Sequence, residues 1–330
     1  MKKIIFINFL IAISIIFFFE VSIRLLDIVE LQGYDDQAFY SENGVIHSKP
    51  NNSFKVYGIR SKTDKNGFRI PINNFSYTDN KKSTLVLGDS VTFGVGIEEK
   101  NTFIGILRNS LAGSNIYNTA IFGHNIRSYL YILKKNHKKF KNEINQVIIF
   151  LCLNDIVPYQ GAIFQKNKVN NNDFQNIIIK NSLAINLNIF LRERSALFVL
   201  LKGILTNPTE RHYNYMRSLY DNEKNLVEFE KNVKEITDYM IKNDLNYKYV
   251  LLPYAHQVKN NCQEELLKPQ EIIESIFSNQ NIILKNYTYE LCKSNNKNDI
   301  FIKYDPVHLS RYGHKYISDL VIADKIFLIK

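Results

Sequence analysis

The sequence predicts an α/β fold built on a parallel sheet, with a membrane-spanning helix in front of it. Three observations lead there. From Ser83 onward, short apolar runs alternate with stretches of helical periodicity. Four short motifs follow one another along the chain, each where a predicted strand runs out: Gly88-Asp89-Ser90, Gly123, Leu153-Asn154-Asp155 and Asp305-Pro306-Val307-His308. The chain also opens with Lys2 and Lys3 before an uncharged run from Ile4 to Phe19. Alternating strand and helix favours a parallel sheet covered on both faces. Ligands of such sheets bind at the carboxyl ends of the strands.

The N-terminal run is interrupted only by Asn8 and Ser14, and its apolar character continues past Glu20 and Arg24 to Leu31. A span needs about 20 predominantly apolar residues. The leading lysines favour a cytoplasmic N-terminus. A cleaved signal would want an A-x-A-like site after the run, and no convincing one follows. A buried core helix rarely opens a chain with two lysines. Residues 1–31 are therefore expected to be a signal anchor, with a cleaved signal as the alternative. With the anchor retained, a single-pass membrane protein is expected, its body on the extracytoplasmic side, periplasmic or cell-surface.

Residues 32–81 are polar and lack a long period, and are expected to be a linker and a small N-terminal extension. Within them Asn66-Gly67 is a turn signal between short apolar runs. The main domain is expected over 82–330. Strands are predicted at Thr84–Leu87, Asn115–Ala120, Gln146–Leu153, Tyr247–Leu252 and Asn281–Leu284. Helices are predicted at Thr102–Leu111, Ile126–Phe140 and Gln270–Phe277, and where Leu226, Phe229, Val233, Ile236 and Met240 recur at helical spacing. The last helix is expected to start near Ser310, a good N-cap, with Tyr316, Ile317, Leu320 and Val321 on one face.

An insertion at about 156–222 breaks the alternation. Lys166–Asn176 reads as a loop. Ile185–Leu205 is apolar, but Arg192, Glu193 and Arg194 stand together inside it and argue against a second span. A helical wall or lid over the pocket is expected, with a membrane-surface helix as the alternative.

The net charge is +10, which raises nucleic acid or an anionic membrane surface as partners. The basic residues are mostly scattered. The cluster Lys134, Lys135, Lys138, Lys139 and Lys141 fits the solvated face of a helix whose other face carries Leu130, Leu133 and Phe140. No nucleic-acid partner is expected. Of the three cysteines, Cys152 lies in an apolar strand and reads as a small buried hydrophobe. Cys262 and Cys292 either pair, in an exported domain, or remain two thiols. No Cys/His cluster suggests a zinc site, and no cofactor is expected.

The four motifs supply what acyl transfer needs: a nucleophile, oxyanion donors, a base and a carboxylate to orient it. Taken singly, each has a structural reading. Ser90 suits a helix N-cap, Asn154-Asp155 a turn, and Asp305-Pro306 a turn before the last helix. Together and in order they resemble the SGNH/GDSL hydrolases, named for Ser, Gly, Asn and His in four blocks, over roughly residues 82–325. Val91 stands where the family usually has leucine. The resemblance implies a three-layer α/β/α sandwich with a flavodoxin-like parallel sheet. It implies Ser90 as nucleophile, His308 as base and Asp305 as the residue that fixes the imidazole. It also implies an oxyanion hole from the Ser90 N–H, the Gly123 N–H and the Asn154 side chain.

Asp89 and Asp155 are expected to shape loops. His124 and Asn125 flank the glycine block, where they could contact substrate. His256 is expected in a loop and His314 in packing or at the surface. The function expected is a serine esterase acting on an O-acyl ester, its substrate an envelope glycan or lipid. An O-acyltransferase of the same fold is the first alternative and a non-catalytic binding module the second.

Overall fold

The computed structural model of the protein describes residues 2–73, 75–78, 82–111, 115–156 and 182–327. The expected loop Lys166–Asn176 lies outside them, as does most of the first half of the insertion. The first helix, α1 (Lys2–Leu25), has 24 residues and is, among the described residues, the one helix long and apolar enough to cross a membrane. At 1.5 Å per residue it is about 36 Å long, against a hydrocarbon core of about 30 Å.

Residues 32–81 hold two small antiparallel sheets. In the first, β1 (Phe39–Glu42) pairs with β2 (Val45–Ser48). In the second, β4 (Ile59–Thr63) sits between β3 (Ser53–Val56) and β5 (Arg69–Ile70). Asn43-Gly44 and Tyr57-Gly58 close the two hairpins with consecutive positive φ angles, the twist a two-residue hairpin favours. Phe39, Phe54, Val56 and Tyr57 share a core with Phe93, Val95 and Phe122 of the main domain. The extension is therefore packed against the segment that follows Ser90.

The main sheet has five parallel strands in the order β10-β9-β8-β6-β7. They are β6 (Ser83–Leu87), β7 (Asn115–Asn118), β8 (Ile144–Leu151), β9 (Asn246–Leu251) and β10 (Leu284–Asn286). In chain order this is the flavodoxin-like 2-1-3-4-5 arrangement. The centre of the sheet is continuously apolar: Leu85, Val86, Leu87 and Val147 through Leu151 have no exposed surface. From β6 the chain moves outward to β7 through α3 (Phe103–Ser110). It returns through α4 (Ile126–Lys139) to β8 on the other side of β6. Right-handed crossovers in opposite directions place α3 and α4 on opposite faces. The helix α3 packs with the last helix, α12 (Arg311–Ala323), and α4 packs with α8 (Glu223–Lys242). These pairs are the outer layers.

The described half of the insertion is helical: α5 (Ser182–Arg194), α6 (Ala196–Thr206) and α7 (Pro208–Leu219). The short α9 (Ala255–Lys259) follows β9, and α10 (Lys268–Asn279) and α11 (Thr288–Cys292) flank β10. The last strand differs from the expectation. It begins at Leu284, because Asn281 adopts φ +56° and the Ile282 N–H closes back on the Phe277 carbonyl at 2.9 Å. Residues 281 and 282 therefore terminate α10 instead of starting the strand. Cys262 and Cys292 form a disulfide, with Cα atoms 6.0 Å apart.

Candidate active site

The strand order reverses between β6 and β8, and the crevice at such a switch point is where doubly wound folds bind ligands. Two of the four motifs leave the sheet there, one from each strand.

Beyond β6 the chain turns through Gly88 into a one-turn helix, α2 (Ser90–Phe93). A Cβ on Gly88 would collide with the Thr92 side chain, so the turn needs glycine. Asp89 is the N-cap, its Oδ1 accepting from the Val91 N–H at 2.9 Å. Ser90 follows at the first helical position. Its N–H is one of the donors a helix leaves unused, and no hydrogen bond occupies it among the described residues. The helix stops at Gly94, in the left-handed region at φ +85°.

Beyond β8, Leu153–Ile156 forms a 3-10 turn. Its Asp155 is buried and accepts from the Tyr129 hydroxyl at 2.6 Å and the Cys152 N–H at 2.7 Å. That is the loop-shaping role expected of it. Burial, with the charge of Asp89 nearby, pushes the Asp155 carboxyl well above the ordinary range. The neighbouring Asn154 is held at both ends. Its Nδ2 donates to Asp89 Oδ2 at 2.9 Å, and its Oδ1 accepts from the Tyr254 hydroxyl at 2.8 Å. An amide nitrogen carries two hydrogens, so one N–H of Asn154 is left over. Burial raises the Asp89 carboxyl, against the bonds from Asn154 and Val91 that favour its charged form.

Gly123 sits in the loop after β7 at φ +80°, where a side chain would be strained and a Cβ would also meet Ile46. Its N–H is likewise unused among the described residues. The flanking His124 and Asn125 have structural partners. His124 is buried with Nε2 at 2.7 Å from the Ile46 carbonyl, and burial lowers its pKa to about 3. Asn125 caps α4 through the Arg127 and Ser128 N–H groups.

The last motif lies in the loop before α12. Asp305 Oδ2 meets His308 Nδ1 at 2.8 Å. Its other oxygen accepts from the Val307 and His308 N–H groups at 2.9 and 2.8 Å. Burial pushes the Asp305 carboxyl up, but the charge and hydrogen bonds of His308 outweigh it and hold the group at about 2. A histidine paired through Nδ1 leaves Nε2 available to a second partner. That nitrogen is buried with no hydrogen-bond partner among the described residues. The charge of His308 also acts on Asp89, which adjoins Ser90. Asp89 joins the serine turn to Asn154, and Tyr57, which shares a core with Phe93 of α2, also meets the His308 ring, so the histidine loop lies on the side of α2 that Tyr57 covers.

Several residues around this place were not singled out by sequence. Tyr57, from the extension, presents its ring edge-on to His308 with centroids 5.4 Å apart. Tyr254 orients Asn154 and stacks on His212 of α7 at 5.5 Å. Burial lowers His212 to about 4, leaving a neutral ring in the field of Asp305 and His308. Arg69 is buried under α2 and donates to the Phe93, Gly94 and Ile97 carbonyls. The only sequence hints were the turn at Asn66-Gly67 just before Arg69, and Pro253 ending β9 just before Tyr254. His256 stacks on Tyr213 at 5.2 Å. His314 packs inside α12, accepting the Phe103 N–H at 3.2 Å. Cys152 is buried as a free thiol. The lysine cluster of α4 lies on its solvent side. The described residues contain no group of three or more His, Cys, Asp or Glu able to hold a metal.

The model of the GDSL-like lipase/acylhydrolase family matches residues 85–321. No curated protein matches the sequence. Similar solved structures include a protein from Desulfitobacterium hafniense DCB-2 assigned to the lipolytic G-D-S-L family. It is 14% identical, with 75% of this chain and 100% of that one covered and a TM-score of 0.43. A lipase/acylhydrolase from Enterococcus faecalis is 10% identical, with 74% and 94% covered and a TM-score of 0.41. The psychrotrophic esterase EstA from Pseudoalteromonas sp. is 12% identical, with 74% and 96% covered and a TM-score of 0.39.

Proposed function

The chain belongs to the GDSL-like lipase/acylhydrolase family and is a hydrolase of ester bonds, and we propose that it works through Ser90, His308 and Asp305. The observation that carries the reading is the Asp305–His308 pair at 2.8 Å, with Nε2 of the histidine unpartnered among the described residues. In this reading His308 Nε2 takes the proton of Ser90 as Oγ attacks the ester carbonyl. Asp305 stays ionised and balances the imidazolium that forms. The tetrahedral oxyanion is held by the Ser90 and Gly123 N–H groups and by the spare N–H of Asn154. His308 then gives its proton to the departing alcohol. Water deprotonated by His308 releases the acid and restores the serine.

The body is proposed to lie outside the cytoplasm, anchored by α1. Lys2 and Lys3 ahead of the apolar run support that orientation, and the Cys262–Cys292 disulfide fits an oxidising compartment. The substrate class proposed is an O-acyl ester of the envelope, on a glycan or a lipid. The full-length protein in detergent should hydrolyse p-nitrophenyl esters, and the acyl-chain dependence reads the width of the acyl site. A folded protein that turns over none of the acetyl to long-chain esters would contradict the reading.

A further inference from the structure

The end of α1 is tied to the insertion by polar contacts that a free tether would not need. The Glu20 carboxylate accepts from Ser195 Oγ at 2.9 Å and from the Ala196 and Leu197 N–H groups at 2.8 and 2.9 Å. It thereby caps the first turn of α6 from another element. Arg24 donates to the Arg194 carbonyl. Gln32 and Arg192 join twice, the Gln32 N–H to the Arg192 carbonyl at 2.9 Å and Arg192 Nε to Gln32 Oε1 at 2.7 Å. Ile23 and Val29 share a small core with Ala196 and Val199.

From this junction α6 runs on with apolar surface on two sides. One side is covered: Ala196 and Val199 lie in that core, and Gly203 abuts the Tyr304 ring, where a Cβ would clash. The other side is open. Leu201, Ile204 and Leu205 are 48%, 60% and 78% exposed. On α5, Leu187 and Phe190 stand three residues apart and are 57% and 52% exposed. Lys202 Nζ bonds Asn188 Oδ1 at 2.7 Å and links the two helices. Lys202 follows Leu201 on α6, so a basic group borders the open side. A contiguous apolar surface rimmed by charge marks an interaction site.

We propose that α5 and α6 lie in the headgroup–acyl boundary of the bilayer that α1 crosses. Leu187, Phe190, Leu201, Ile204 and Leu205 enter the acyl region, and Lys202 faces anionic headgroups. The proposal rests on the reading of α1 as a span. Continuity identifies the occupant. Phe19 is exposed along α1, and the next residue, Glu20, holds the start of α6. Whatever solvates the apolar side of α1 therefore reaches α6 within one helical turn. The seat also bears on chemistry, because Tyr304, which packs against Gly203, directly precedes Asp305.

The chain contains no tryptophan, so a single introduced one is an unambiguous probe. Four full-length variants are compared in liposomes of phosphatidylcholine and phosphatidylglycerol: Phe9→Trp in α1, Phe190→Trp, Leu205→Trp, and Ile283→Trp. The last lies on the body of the protein and is 78% exposed. The proposal predicts blue-shifted emission for the first three. It also predicts quenching by brominated acyl chains at least about twofold stronger than for Ile283→Trp. Quenching at Phe9→Trp with Phe190→Trp and Leu205→Trp matching Ile283→Trp overturns the interfacial seat and leaves the span intact. No quenching at Phe9→Trp overturns the span itself. A blue shift at Phe190→Trp and Leu205→Trp without quenching by brominated lipid means protein covers the face, which also overturns the proposal.

Discussion

Asn154 is the residue whose surroundings say most about its task. One amide hydrogen goes to Asp89, the carbonyl takes the Tyr254 hydroxyl, and the remaining N–H has a fixed direction. A donor fixed before the reaction costs no reorganisation when charge develops. Asn154→Ala should lower kcat on p-nitrophenyl acetate by about two to three orders of magnitude with KM little changed, because the bond matters mainly in the transition state. A raised KM at unchanged kcat would mean that Asn154 only positions substrate. Tyr254→Phe keeps the ring and removes the orienting bond, so it should lower kcat by a smaller factor at constant KM. Ser90 and Asn154 were legible in the sequence because each stands in a short motif beyond a strand, and Asp305 and His308 because they share one short motif before the last helix. Tyr254, Tyr57 and His212 were not. Their roles come from side chains meeting across the sheet's carboxyl edge, and no local spacing encodes that.

At the scale of elements, α2 is too short to hold itself and is held from outside. Asp89 caps its start, while Arg69, from the extension, gathers carbonyls at its end and lies over the Phe93 ring at 4.4 Å. Burial, with the charge of Arg108, lowers Arg69 to about 9. A cation kept in such a place is retained by its hydrogen bonds. Arg69→Met fills similar volume but orphans those carbonyls, and should cost roughly 2–4 kcal/mol in urea unfolding. Arg69→Lys should recover only part of that, since one ammonium cannot reproduce the planar fork. Equal stability of Arg69→Met and the wild type would remove the extension from the support of the serine turn. The polar composition of residues 32–81 concealed this role. Their strands are only two to five residues long, with hairpin turns at Asn43-Gly44 and Tyr57-Gly58. Runs of that length carry little periodicity. The long elements were easier to read, because β8 runs apolar from Val147 to Leu151 and α8 repeats its buried residues at helical spacing.

For the whole molecule, the parallel sheet followed from the alternation of strand and helix, and its flavodoxin-like order from the family resemblance. The packing of α1 against α6 did not, since it joins Glu20 to Ser195 across 175 residues of chain. The buried histidines also act at this scale. Burial lowers His124 and His314 each to about 3, so both stay neutral when folded. Unfolded, they take up protons near pH 6.5. Between about pH 6.5 and 3 the unfolded chain therefore binds more protons than the folded one, and stability falls as pH falls. At pH 4.5 the loss should be about 2–3 kcal/mol for each histidine relative to pH 7.5. His314→Gln offers a neutral acceptor to the Phe103 N–H and should flatten the pH dependence of the urea midpoint. An unchanged slope would show that His314 does not contribute to it.

The central claim, that Ser90 is the nucleophile and His308 its base, is tested most directly by mapping a covalent adduct. The full-length protein is treated with a fluorophosphonate, digested, and its peptides are weighed. The account predicts one modified site, at Ser90. It predicts no adduct in Ser90→Ala and much slower labelling in His308→Ala, although both variants keep the wild-type circular dichroism. An adduct on another residue, or labelling of Ser90→Ala at the wild-type rate, would contradict it.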